Sequence, residues 1–200
     1  MQFPEFFDRV PRLRVRDPLA AFLGASEGGI MEYGYADAVR LAGHSCPTVA
    51  SAYRITGLAM ERLYRATLPE RGGIRIEFRQ AREEGVTGVV AAVATLLTGA
   101  SGEEGFHGVG GRFGRRGLLL FGRPVPMDFR FVRQDNGAWV DCAVDLRHVP
   151  ADPALPLLMQ KCLRGEAEAD DHRLFGELWQ DRVRSLLLDH WDDGRVFVVA

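Results

Sequence analysis

Two hundred residues at 22.2 kDa suit one domain built on a single core. Hydrophobic residues at 46% and charged residues at 26% exclude a fibrous or disordered chain. A net charge of −2 gives no field for gripping a phosphate backbone, so nonspecific nucleic-acid binding is excluded as well.

Phe3, Phe6, Phe7 and Val10 recur at helical spacing, and Asp17 before Pro18 reads as the cap and first position of a second short helix. Residues 1–35 are thus expected to be a helical extension with a connector, broken at Gly24, Gly28 and Gly29. Glu5, Asp8 and four arginines up to Arg16 argue against a secretory signal. The clearest helix is predicted over Pro47–Arg65, with Val49, Tyr53, Thr56, Met60 and Leu63 on its core face. Ala50, Ala52, Gly57 and Ala59 in the same segment permit close approach of another element.

Ile74, Ile76 and Phe78 alternate with charged residues and predict a strand. An apolar helix is expected over Val86–Leu97, too short to span a bilayer and so apolar that it needs cover on every side. Eight glycines between Gly99 and Gly117 then demand a mobile or tightly turned loop. Leu118–Arg123, Met127–Arg133 and Trp139–Val144 read as an antiparallel meander, with turn chemistry at Asp135-Asn136-Gly137. Pro150, Pro153 and Pro156 precede two helices, Leu155–Leu163 and Asp171–His190, and Val196–Val199 closes the chain as a strand. The fold class expected is α+β, a mainly antiparallel sheet packed with helices.

Cys46, Cys142 and Cys162 lie far apart with no CxxC pair, which fits a reducing cytoplasm. Of the three, Cys46 has the informative setting, Gly43-His44-Ser45-Cys46-Pro47. Pro47 suits the first helical position, which makes Cys46 the N-cap, where free backbone N–H groups and the positive dipole end favour a thiolate. His44, two residues earlier, can share a metal with that sulfur, and a thiolate with an imidazole suits zinc or a neighbouring first-row ion. The plainer reading is a buried cysteine beside a turn histidine, because a metal site needs further ligands.

Ala42-Gly43-His44-Ser45-Cys46-Pro47, followed by a helix with Ala50, Tyr53, Arg54 and Gly57, resembles the GHxCP signature of the FmdE-like family, which takes its name from a component of formylmethanofuran dehydrogenase. The order of strand Ile74–Phe78, turn Glu84-Gly85-Val86-Thr87, helix Val89–Leu97, loop Gly99–Gly114 and strand Leu118–Phe121 is similar too, so the resemblance spans about residues 36–190. It implies an α+β core, a homodimer, and a cleft lined by the motif histidine and cysteine that holds a metal. Two departures stand out. Where family members often read Cys-Gly-x-Asp, this chain has Glu84-Gly85-Val86-Thr87, losing a thiol and a carboxylate. The family's optional C-terminal zinc finger is absent, so any interaction assigned to it does not transfer.

Glu84 and His107 are the candidate third ligands or bases. Glu84 can equally be an acid at a helix start, where it meets the dipole favourably, and His107 a solvated loop histidine. Arg112, Arg115 and Arg116 can cradle an anion or form a solvated basic loop. No nucleotide fingerprint is present. Ser45 lacks the partner pattern of a hydrolase triad. Three functions fit: a zinc-dependent enzyme acting on a small molecule of unknown identity, a non-catalytic metal or cofactor carrier, and a metal-free thiol enzyme using Cys46 with His44 as base. None involves a membrane or nucleic acid.

Overall fold

The protein is described from a computed structural model, over residues 2–200. Its first segment differs from the helical extension expected. A short 3-10 helix at Glu5–Arg9 leads into strand β1 (Leu13–Arg16), then helix α1 (Pro18–Phe22), strand β2 (Ile30–Tyr33) and helix α2 (Tyr35–Ala42). β1 and β2 pair antiparallel, with Leu13 opposite Tyr33. Asp17 caps α1 as expected, its carboxylate accepting from the N–H of Leu19 at 3.0 Å and of Ala20 at 3.2 Å. Leu13 and Val15 point inward while Arg14 and Arg16 stay wet, an alternation only four residues long.

Helix α3 (Pro47–Tyr64) is the central element. The expected core face is buried, and so is nearly everything else in its first four turns, including Ala50, Ala52, Arg54, Gly57 and Ala59. The small residues explain this: a Cβ on Gly57 would stand 2.9 Å from a methyl of Leu13, so β1 crosses here only because none is present. Arg54 is enclosed at 1% exposure and fully used. It donates to the Trp191 carbonyl at 2.7 Å, pairs with Glu61 and Asp192 at 3.1 Å each, and stacks on the Trp191 ring at 4.2 Å.

β3 (Ile74–Phe78) and α4 (Thr87–Thr98) lie where the pattern places them. Residues 118–144 do not form the expected three-strand meander. β5 (Phe129–Arg133) and β6 (Trp139–Val144) are a hairpin, but the short β4 (Leu119–Leu120) pairs parallel to β3, with Ile76 opposite Leu119. A parallel neighbour needs a connection of about a dozen residues or more, and α4 with the glycine loop supplies it. β5 pairs antiparallel with β3 on its other edge. Helices α5 (Leu155–Arg164) and α6 (Ala169–Arg184) follow, α6 ending in a π-turn at Ser185–Asp189. β7 (Phe197–Val199) adds to β6, completing the order β4-β3-β5-β6-β7. The fold is α+β: among the described residues, six helices with a five-strand mixed sheet and a two-strand antiparallel sheet. None of those helices is long and apolar enough to cross a membrane.

Candidate functional site

Gly43, with φ of 76°, closes α2 in the left-handed conformation that favours glycine, and four residues later α3 begins. Between them the chain turns sharply, with Cys46 extended at φ −150° as the N-cap and Pro47 at the first helical position. The Cys46 sulfur accepts the Val49 N–H at 3.4 Å, one of the amides a helix start leaves without a partner. The His44 imidazole stands on the solvent side of that sulfur, Nε2 to Sγ 3.3 Å. Its other nitrogen faces the Ala42 carbonyl at 3.0 Å, an acceptor, so Nδ1 carries the proton and donates. Nε2 therefore keeps its lone pair in the neutral ring. Cys46 is nearly enclosed at 9% exposure, whereas His44 is open to solvent.

The turn is pinned by residues the sequence pattern did not single out. The Ser45 hydroxyl donates to Gln180 Oε1 at 2.9 Å and accepts from the Tyr35 phenol at 2.9 Å. Its carbonyl accepts from Trp179 Nε1 at 3.0 Å and from Gln180 Nε2 at 3.2 Å. Burial pushes the Tyr35 phenol well above its ordinary range, so it stays a neutral donor. Ser45 thus spends its proton on an amide oxygen and faces no base, which agrees with the absence of a hydrolase pattern. Trp179 and Gln180 lie on α6, more than a hundred residues along the chain, and no local signal in the sequence could pair them with the turn.

Glu84 and His107 are not brought to the pair. Glu84 is exposed in the turn before α4, where its carboxylate accepts the Ala81 N–H at 3.2 Å. His107 is exposed in the glycine loop, with Nδ1 against Arg116 Nη1 at 3.1 Å. Among the described residues no group of three or more His, Cys, Asp or Glu side chains stands close enough to hold a metal ion. The donor set at the turn is two: one imidazole nitrogen and one sulfur. Their 3.3 Å separation is close to the about 3.5 Å that nitrogen and sulfur ligands keep on a tetrahedral zinc, so the pair fits two corners of such a site.

A cavity of about 350 Å³ opens beside the first turns of α3, between Thr48, Ser51, Ile55, Phe78, Thr87 and Phe129. Neither His44 nor Cys46 lines it, since Thr48, Ser51, Ala52 and Ile55 form a different face of the helix. The Ser51 hydroxyl in its wall is buried without a partner among the described residues. No protein-family model and no curated protein matches the chain.

Proposed function

We propose that the protein is a metal-binding protein of the FmdE-like kind, holding a soft divalent ion, zinc first, on His44 Nε2 and Cys46 Sγ. The observation that carries this reading is the contact geometry of the turn: in the neutral ring Nδ1–H donates to the Ala42 carbonyl, which leaves the Nε2 lone pair beside a sulfur 3.3 Å away. A bound ion would supply Lewis acidity there, and His44 and Cys46 would orient it at the mouth of the α2–α3 turn. Two ligands fall short of the three or four that zinc takes, so the remaining positions go to water, a small molecule or a second copy of the chain. Among the described residues no carboxylate or second imidazole joins the pair, which favours a carrier of a metal or cofactor over an enzyme with its own positioned acid and base.

Elemental analysis of the purified chain tests this. About one transition-metal equivalent per chain is expected. It should collapse in His44→Ala and in Cys46→Ala, and persist in Cys142→Ala and Cys162→Ala. Unchanged stoichiometry in either of the first two variants removes the site. The second reading, a metal-free thiol enzyme, draws on the same contact, because a neutral Nε2 at 3.3 Å can take the Cys46 proton. It gains if the native protein carries no metal and Cys46 reacts with alkylating agents as isolated.

A further inference from the structure

The glycine loop carries three arginines, and the fold separates them. Arg116 turns outward to Glu103 at 3.1 Å and to His107. Arg112 and Arg115 instead line a cavity of about 300 Å³ between the loop, the start of α1 and the Glu70–Gly72 turn, which adds Arg71 as a third guanidinium. Behind the cavity sits Asp17 at 3% exposure. Its Oδ1 accepts from Arg115 Nη2 and its Oδ2 from Arg71 Nη1, both at 2.7 Å. One negative charge therefore faces two enclosed positive ones. Glu70 on the wall is half exposed and offset by Arg16 at 3.7 Å. Arg112 is exposed and forms no ion pair among the described residues. The balance leaves two positive charges around the cavity, one enclosed and one on exposed Arg112, which an anion would neutralise.

The two enclosed guanidinium groups are not fully spent. The Nε–H groups of Arg71 and Arg115 are both buried without a partner among the described residues, and they reach an occupant of the cavity only if the side chains shift. Two glycines leave the room that Arg115 occupies. A Cβ on Gly99 would stand 2.1 Å from Arg115 Nη1, and one on Gly72 would stand 3.2 Å from Arg115 Nε. Phe113, between Arg112 and Arg115, has φ of 65°, a strained conformation for a bulky residue that only its surroundings can hold. Its ring lies tilted against that of Phe22, centroids 5.3 Å apart, and Phe22 is 60% exposed, so an open aromatic pair adjoins the cationic cavity.

We propose that this cavity binds a small phosphate monoester, with the phosphoryl group on Arg71, Arg112 and Arg115 and the organic part against Phe113 and Phe22. Guanidinium forks match phosphate oxygens in pairs, and a monoester near neutral pH carries about −1.5 to −2, equal to the excess. A carboxylate brings only half of that charge.

Calorimetric titration of the full chain with phenyl phosphate, inorganic phosphate and benzoate tests the proposal. Phenyl phosphate should saturate with a dissociation constant below about 1 mM, and inorganic phosphate and benzoate should each bind at least about tenfold more weakly. Arg112→Glu, at an exposed position that spares the Asp17 bracket, should abolish binding with the far-ultraviolet spectrum unchanged. Arg116→Glu should bind as the parent does. Absence of saturation with phenyl phosphate, unaltered binding in Arg112→Glu, or benzoate binding as tightly as phenyl phosphate overturns the phosphate site. Equal affinity for inorganic phosphate overturns the role given to the aromatic pair.

Discussion

Cys46 and Cys142 are both enclosed, yet only one of them stands beside a base. Burial pushes the Cys142 thiol up to about 12, with the Asp141 carboxylate adding to the effect, and its exposure is 0%. Cys46 instead meets a histidine nitrogen at 3.3 Å and keeps a sliver of exposure. Iodoacetamide labelling of chelated protein, mapped by mass spectrometry, should mark Cys46 and leave Cys142 untouched. His44→Ala should slow the Cys46 reaction by about a hundredfold, the low end of what a positioned general base contributes. Bound metal should protect Cys46, and equal labelling of the two cysteines would undo this account. Asp17 gives a second test at the same scale. Burial alone would raise its carboxyl, but the hydrogen bond from Arg115, the Ala20 N–H and the charges of Arg115 and Arg71 outweigh burial and hold it below 3.8. A folded value below the unfolded one means stability that is full above about pH 4 and lost as pH falls through the folded value. Asp17→Asn should therefore cost about 3 kcal/mol near neutral pH, read from urea midpoints, and the gap should narrow in acid. A gap independent of pH would mean that the carboxylate charge contributes nothing.

Helix α6 holds the candidate site without belonging to it. Gln180 closes both polar groups of Ser45, and Trp179 adds a third bond to the same turn. Gln180→Ala should lower stability by about 1–2 kcal/mol, from two part-buried hydrogen bonds, and loosen the His44 ring relative to Cys46. The expected readout is weaker metal retention against a chelator, with Gln180→Glu, which keeps the acceptor for Ser45, falling between. Retention identical to the parent would show that the turn is rigid without α6. The turn itself is legible in the sequence because its signals are local: Gly43 ends one helix, Cys46 and Pro47 begin the next, and all lie within five residues. The pins are not legible, because a tryptophan and a glutamine on an amphipathic helix look like ordinary boundary residues. The same limit applies to strands. β3 and β6 carry enough alternation to be read, whereas β4 has two paired residues and an apolar run that does not say which strand it joins. The β1–β2 pair escapes for a related reason, since four-residue strands are hard to tell from short helical turns by period.

On the scale of the whole molecule, the expectation of a homodimer rests on the FmdE-like resemblance and on an apolar helix needing cover. That cover is found within the chain: α4 packs against α3 and α2, and only Ala92 within it is exposed. An apolar surface stays open on the α5–α6 hairpin, where Leu163 is 81% exposed, Leu157 61% and Leu174 41%. Scattered exposed leucines are ordinary, but three on one helical pair give a second copy an apolar surface to bury. Light scattering at high micromolar concentration is expected to return a dimer mass. Leu157→Glu together with Leu163→Glu should return a monomer with an unchanged spectrum, because neither side chain supports the core. The measurement also bears on the metal, since two donors per chain leave ligand positions to fill. If the partner fills them, chelation lowers the mass as it removes the ion; a dimer that survives chelation assigns those positions to water or a small molecule. A strictly monomeric parent would count against the resemblance, and the His44–Cys46 pair would then have to be completed from solution.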